Sequence, residues 1–166
     1  MLSLDDSRAA AERLVDRAMK AGADAADVLY AGGRSTSVQV RLGELEHVER
    51  SEDEEIGLRV FIGSKSATVA SSDLSNDALE ELVTRALAMA GEAPEDPFAG
   101  LGPSELLARP PFPALESVDP IDLDPAELRE RALEAEAAAL AVAGVKNSSG
   151  ASGNGKRRAA AKSRAR

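Results

Sequence analysis

The chain of 166 residues lacks several of the side chains on which enzymes and metal sites depend. It has no cysteine, which excludes disulfides, thiolate zinc sites and a cysteine nucleophile. Its one histidine, His47, excludes any site in this chain that needs two imidazoles. No apolar run is long enough to span a bilayer, and the acidic start at residues 1–6 is unlike a secretory signal. We therefore expect a cytoplasmic protein.

Aromatic residues and positive charge are also scarce. Aromatics make up only 2% of the chain, and much of its 43% apolar content is alanine, so the predicted core is thin. The formal net charge is −9, from 29 acidic and 20 basic residues. Six of the basic residues lie within residues 156–166, which hold no acid, so the remainder carries −15. A body this acidic repels nucleic acid, and any nucleic-acid binding would depend on that basic segment.

Three segments have the caps and apolar spacing of helices. The first follows Ser3 and should end at Gly22, where a left-handed residue is cheapest. The second follows Ser75 and should end at Gly91. The third should run to about residue 143, and it begins with three residues in their preferred N-cap, N1 and N3 places: Asp124, Pro125 and Glu127.

Strand-like alternation fills the region between the first two helices. Strands are predicted at residues 27–31, 35–42, 45–50, 56–62 and 67–71, with residues 145–149 as one further candidate. Turns are expected at Gly43-Glu44 and Gly63-Ser64, and the acidic residues 52–55 are expected to form a loop. Because parallel strands need long crossovers, the close spacing predicts an antiparallel meander. The expected fold class is α+β, an antiparallel β-meander of about four to six strands with helices packed on one face.

Composition also suggests where the domain ends. All eight prolines lie in residues 94–125, whose apolar side chains should wrap the segment around the domain. They are Phe98, Leu101, Leu106, Leu107, Phe112 and Leu115. Residues 1–153 are therefore expected to form one α+β domain. Residues 154–166, rich in small and basic side chains, are expected to form a disordered basic tail.

Two acidic clusters contain residue types that can bind metal ions. His47 stands between Glu46 and Glu49, but a metal there would need further ligands, and a surface cross-strand histidine explains the pattern better. Residues 52–55 could offer oxygen ligands to calcium, but they lack the spacing and glycine of a calcium loop. A solvated acidic turn is the favoured interpretation.

Two further motifs contain residue types found in catalytic or nucleotide-binding sites. Residues 150–156 fit GxxxxGK, but Arg157 occupies the place of the magnesium-binding hydroxyl. Ser71, Ser72 and Asp73 place hydroxyls beside a carboxylate without a partnered histidine, so turn and capping roles are favoured. We assign no catalytic, cofactor-binding or metal-binding residue from the sequence.

Several blocks taken in order resemble the N-terminal region of the TldD/PmbA family. They are residues 22–28 (GADAADV), residues 33–75 (GRSTSVQVRLGELEHVERSEDEEIGLRVFIGSKSATVASSDLS), residues 94–108 (PEDPFAGLGPSELLA) and residues 147–152 (NSSGAS). The resemblance covers about residues 8–153. The segment PEDPFAGL is more similar to the PmbA (TldE) branch than to the TldD branch.

The resemblance implies a cytosolic peptidase system in which TldD-like and PmbA-like subunits assemble. In that family the TldD-like subunit carries zinc on an HExxxH helix, and the family is linked to peptide maturation, proteolysis and, by an older name, modulation of DNA gyrase. HExxxH does not occur in this sequence, so no metal or catalytic residue carries over. Family members are much longer, and the abrupt Ala/Arg-rich ending suggests truncation before the C-terminal domain, by frameshift or otherwise, with a genuine basic tail as the alternative.

These observations predict a non-catalytic N-terminal domain of a PmbA/TldE-like subunit. Whether this chain takes part in catalysis is left open, although without the zinc motif we expect it to be inactive alone. We expect no cofactor in this chain, with zinc only in the catalytic partner subunit. Expected partners are a TldD-like catalytic subunit or a second copy, and peptide substrates, but no membrane. The alternative is a regulatory, gyrase-associated or nucleic-acid-associated protein that uses the basic tail.

A binding mode follows from the strand prediction. Residues 35–42 carry a polar face that includes Gln39, and we expect this strand to be a free edge. A peptide or partner subunit could then add a strand there, through backbone hydrogen bonds that tolerate varied sequences. Edges that are simply short and charged remain the other interpretation.

Overall fold

A computed structural model describes residues 1–111, 113, 115, 117 and 119–166 of the chain. It contains three α-helices and four β-strands. The helices are α1 (Leu4–Lys20), α2 (Asn76–Glu92) and α3 (Pro125–Leu140), and a short 3-10 turn spans Ser104–Leu106. The strands are β1 (Ala25–Arg41), β2 (Glu44–Ile62), β3 (Lys65–Ser71) and β4 (Ser149–Ala165).

The strands form one antiparallel sheet in the order β3-β2-β1-β4. The first three make a meander, in which Ile56 of β2 faces Ser71 of β3 and Ile62 faces Lys65. Strand β4 returns along the other side of β1, and the Arg166 N–H donates to the Asp24 carbonyl at 3.1 Å. The predicted α+β class and antiparallel sheet are confirmed.

The helix starts lie where their capping signals predict. The Ser3 and Ser75 hydroxyls accept from the N–H groups of Asp6 and Ala78. Asp124 accepts from the first turn of α3, and Glu127 returns a hydrogen bond to Asp124, which completes a capping box. Helix α2 passes through Gly91 and ends one residue later than predicted.

The described residues fall into two compact units. The first comprises those within Met1–Gly32, Asp53–Phe112 and Arg157–Arg166. Its core is built from α1, α2 and alternate residues of β1, β2 and β3, with Ala160 of β4. The largest of its fully buried side chains are Tyr30, Leu14, Ile56, Leu58 and Leu82. Alternation along each strand thus supplies one apolar face, which the two helices cover.

The second unit comprises the described residues within Gly33–Glu52 and Pro113–Lys156. Its small core joins Val38 and Val40 of β1 to Leu128 and Ala132 of α3. Strand β4 approaches α3 so closely that a Cβ atom on Gly150 would lie 1.9 Å from the Ala132 carbonyl oxygen. Glycine is therefore required at that position.

Two strands are longer than the sequence predicts. The expected break at Gly32-Gly33 and the expected acidic loop at residues 52–55 are wrong, because β1 and β2 run through them. The glycine at position 32 reflects a close contact and not a turn, because a Cβ there would lie 2.6 Å from the Tyr30 hydroxyl oxygen. The acidic residues stay in the strand partly because Glu54 has hydrogen-bond partners on its neighbours. The strand proposed at residues 145–149 begins only at Ser149.

The predicted disordered tail at residues 154–166 is wrong, since these residues belong to β4 up to Ala165. The basic residues alternate along the strand, and several have acidic partners that the sequence keeps far away. Lys162 pairs with Glu12 at 3.0 Å, and Arg164 pairs with Asp16, both on α1. This pairing offsets the like-charge repulsion that favoured disorder.

The proline-rich segment does not bury its apolar side chains as predicted. Phe98 is 93% exposed, and Leu106, Leu107 and Leu115 are exposed as well, whereas Leu101 is half-buried. Phe112 lies outside the described residues. The segment is held instead through its backbone, since the Asp96 N–H donates to the Ser64 carbonyl at 2.8 Å.

Candidate functional site

The histidine cluster does not form a metal site. His47 and Glu49 are exposed, with His47 Nε2 at 4.0 Å from Glu49 Oε2. Glu46 accepts instead from Gln39 at 2.8 Å and lies 3.4 Å from Arg41. Among the described residues, no group of three or more His, Asp or Glu side chains could hold a metal ion.

The acidic run in β2 contributes a structural carboxylate. Glu54 Oε2 accepts from the Tyr30 hydroxyl at 2.9 Å and from the Leu2 N–H at 3.1 Å. Burial raises the pKa of the Tyr30 hydroxyl, and the hydrogen bond to Glu54 raises it further. This arrangement ties the first residues of the chain to β1 and β2, and it shows no calcium-loop geometry.

The glycine-rich stretch at residues 150–156 lies in a strand and not in a phosphate loop. Lys156, the lysine of the GxxxxGK pattern, donates to Asp122 at 2.8 Å. That hydrogen bond and charge lower the pKa of Asp122. Asn154 donates to the Leu123 carbonyl at 3.0 Å. These polar side chains fasten β4 to the segment that leads into α3.

The serine–aspartate motif forms the turn before α2. Asp73 Oδ1 accepts from the Ser75 N–H at 2.8 Å, and the hydrogen bonds to Ser75 lower the pKa of Asp73. Ser71 Oγ donates to the Asp73 carbonyl and accepts from its N–H, both at 3.0 Å. The capping interpretation of this motif agrees with the geometry.

The expectation that residues 35–42 form a free edge is wrong. Strand β1 lies between β2 and β4, so its backbone has a neighbour on each side. In the second unit, Gly153 and Gly155 of β4 lie directly against residues 34–37. A peptide or partner therefore cannot add a strand at Gln39, because β2 and β4 already occupy both sides of β1.

The first half of β2, residues 44–52, has an edge that is more accessible than either edge of β1. β3 pairs only with Ile56–Ile62, so within the described residues no strand covers the outer side of residues 44–52. All side chains of residues 44–52 are exposed, including the apolar Leu45 and Val48. This stretch, together with Leu42 and Gly43, is called the hairpin surface below.

A buried carboxylate on α3 accepts hydrogen bonds from the backbone of the turn in the hairpin surface. The turn comprises Leu42 and Gly43 (one residue earlier than predicted), with φ of 50° and 82°. Glu136 of α3, only 2% exposed, accepts from the Leu42 N–H at 2.5 Å and from the Gly43 N–H at 2.8 Å. The sequence analysis did not single out Glu136. A signal was available, because Leu128, Ala132 and Glu136 follow one another at helical spacing and the acid interrupts an apolar stripe.

A shallow groove lies on the other face of the sheet in the first unit. Its volume is about 590 Å³, and Leu29, Ala31, Gly57 and Ala161 are among the lining residues. Arg59 forms a two-pronged ion pair with Asp27 beside it, and its guanidinium lies 5.1 Å from the Phe61 ring centre. The groove is open and carries no nucleophile with a partnered base.

The fold and the hairpin surface together define a class of protein. It is an α+β domain with an antiparallel sheet, whose exposed strand edge and side chains suit binding. Residues 26–90 match the model of the PmbA/TldA metallopeptidase domain 1, so this part of the chain belongs to the PmbA/TldD family.

Curated relatives agree with this assignment. The chain is 38% identical over 148 residues to the Metalloprotease PmbA homolog of Haemophilus influenzae, a match that covers 89% of this chain and 32% of the relative. It is 37% identical over 117 residues to Metalloprotease PmbA of Escherichia coli O157:H7, covering 70% of this chain and 26% of the relative. The chain thus spans about a third or less of the curated relatives that it matches.

Solved structures share the fold. A protein described as a candidate modulator of DNA gyrase from Bacteroides thetaiotaomicron superposes with a TM-score of 0.88 at 19% identity, covering 98% of this chain and 37% of that one. TldE from Thermococcus kodakarensis superposes with a TM-score of 0.69 at 16% identity, covering 93% and 34%. Within the described residues, no helix is both long and apolar enough to cross a membrane.

Proposed function

We propose that this chain acts as a non-catalytic interaction domain of a PmbA/TldE-like subunit in a cytoplasmic zinc metallopeptidase complex that processes peptides. The proposal rests on the hairpin surface, which combines exposed apolar side chains with a backbone edge that no strand among the described residues covers. Such a surface suits docking through backbone hydrogen bonds and apolar contact. The family assignment supplies the context of a peptidase system.

The polar side chains that could carry chemistry already have structural partners. Glu54 accepts from Tyr30, and Lys156 donates to Asp122. Asp73 accepts from Ser75 before α2. In this proposal zinc belongs to the partner, a TldD-like catalytic subunit, and this chain contributes binding surface for that subunit, or for a second copy, and for peptides.

The alternative function through a basic tail finds less support. Lys156, Lys162 and Arg164 each have an acidic partner within the fold. Arg158 donates to the Leu2 carbonyl at 2.8 Å. A phosphate backbone would have to compete with these contacts, and it would also meet the strongly negative remainder of the chain.

The proposal is tested by mixing the purified chain with a zinc-loaded TldD-type subunit and measuring the dissociation constant by calorimetry. We expect association, and we expect Val48→Lys to weaken it about tenfold or more, as loss of a central contact does. Val142→Lys is the matched control, because Val142 is also exposed but lies after α3.

Peptidase assays complete the test. We expect the chain alone to leave peptides intact with or without added zinc, and the mixture to hydrolyse them. Failure of the wild-type chain to bind the TldD-type subunit, or chelator-sensitive hydrolysis by the chain alone, would refute the proposal.

A further inference from the structure

The turn between β1 and β2 carries a side chain that its backbone conformation disfavours. Leu42 has a φ of 50°, a region that non-glycine residues rarely enter and that branched side chains fit poorly. With Gly43 also at positive φ, the turn is of the kind for which Asn-Gly is preferred. Leucine is a poor choice for folding here, and its side chain is 58% exposed, so burial does not compensate for the strain.

A buried carboxylate holds this turn in place. Both oxygens of Glu136 are used, one for the Leu42 N–H and one for the Gly43 N–H. The hairpin's nearby charged side chains, Arg41 and Glu46, pair with each other. Burying a carboxylate is costly unless it is fully hydrogen-bonded, so the turn and the helix constrain one another. The result is a turn held rigidly enough to fix where Leu42 points.

Strain that persists in a well-supported segment is a reason to look for function. We infer that Leu42 is a docking residue, whose side chain inserts into an apolar pocket with a basic rim on the partner subunit. Leu45 and Val48 extend the apolar contact, and Glu44 and Glu49 supply negative charge beside it. An aliphatic anchor presented in a fixed position loses little freedom on binding, which favours affinity. This inference rests on the proposed function and names the contact through which it operates.

The test is Leu42→Asn, which gives the turn its preferred Asn-Gly sequence and removes the anchor. We expect the isolated chain to melt about 2–4 °C higher, because the strain is relieved. We also expect binding to the zinc-loaded TldD-type subunit to weaken about tenfold or more. A variant that is more stable but binds more weakly would show that Leu42 serves the contact with the partner and not the fold.

Three further variants separate the causes. Ile121→Asn is the matched control, because Ile121 is 54% exposed and lies elsewhere in the second unit, and it should leave binding unchanged. Leu42→Met keeps an apolar side chain of similar volume and should retain most of the affinity. Glu136→Gln places an amide where the turn donors need an acceptor, so it should lower both the melting temperature and the affinity.

Two outcomes overturn the inference while the proposed function stands: wild-type binding that Leu42→Asn leaves intact, and equal losses for Leu42→Asn and Ile121→Asn. A lower melting temperature for Leu42→Asn would also overturn it, because the residue would then serve the fold. If the wild-type chain does not bind the subunit at all, the proposed function fails and the inference fails with it.

Discussion

At the scale of single residues, Tyr30 joins the start of the chain to the sheet. Its ring is fully buried, and its hydroxyl accepts from the Leu2 N–H and donates to Glu54. Removing the proton would leave a buried phenolate beside the negative charge of the Glu54 carboxylate. Burial therefore raises the pKa of this hydroxyl above its ordinary value of 10.0, and Glu54 adds to the effect.

This shift predicts a pH dependence of stability. The folded state holds the Tyr30 proton more firmly than the unfolded state does. The contribution of Tyr30 to the free energy of unfolding is therefore complete below pH 10 and is lost as the pH rises through the folded-state pKa. Tyr30 is the only tyrosine, so the tyrosinate absorbance reports it directly. We expect a higher titration midpoint in the native chain than in urea.

The control for this prediction is Tyr30→Phe. It should cost about 1 kcal/mol at neutral pH through the lost hydrogen bonds, and it should reduce the fall in stability above pH 10. Equal midpoints in native and unfolded protein would contradict the role given to burial.

At the scale of elements, local signals predicted the helices and non-local contacts decided the strands. The capping box at Asp124 and Glu127 is closed within four residues, so the sequence contains everything that forms it. The partners of Lys162 and Arg164 lie on α1, about 150 residues earlier in the chain, so the basic pattern taken alone predicted disorder. The sequence can mark Glu136 as an acid within an apolar stripe, but it cannot show that its partner is the turn at Leu42, which lies far away along the chain.

Replacing two glycines by alanine should change the stability of the chain in opposite directions. Gly150→Ala would place a methyl group 1.9 Å from the Ala132 carbonyl oxygen, and neither backbone can yield without breaking the packing of β4 on α3. We expect a loss of about 3 kcal/mol in the free energy of unfolding.

Gly91→Ala is the matched change in a helix. Gly91 lies within α2, and a Cβ there meets nothing within 4 Å. We expect a gain of about 0.5–1 kcal/mol, because alanine restricts the unfolded chain and favours the helix. Urea denaturation measures both variants, and a stable Gly150→Ala protein would show that β4 does not pack on α3 in this way.

At the scale of the whole molecule, the charges that appear segregated in sequence are mixed in space. The net charge of −9 includes five basic residues in β4 and Arg166 just after it, and of these Lys162, Arg164 and Arg166 meet acidic groups of the first unit. Lys156 meets Asp122 in the second unit. Composition could assign the overall class, but it could not locate these pairs.

Hydrogen exchange tests this organisation. We expect many of the amides of β4 between residues 150 and 165 to exchange much more slowly than those of residues 98–108, which have few backbone hydrogen bonds. Raising the salt concentration should speed exchange in β4 moderately, because its exposed ion pairs are screened. Exchange in β4 as fast as in the proline-rich segment would restore the view of a disordered tail.

The position of β1 between β2 and β4 also has a consequence during synthesis. The ribosome completes β1 at Arg41 and reaches Ser149, where β4 begins, more than a hundred residues later. At about 5–20 residues per second, one side of β1 waits roughly 5–20 seconds for its neighbour. During that interval a 17-residue strand offers unpaired backbone groups to any other nascent chain. The β3-β2-β1 meander can form early, but the period of greatest aggregation risk should end only when β4 leaves the exit tunnel.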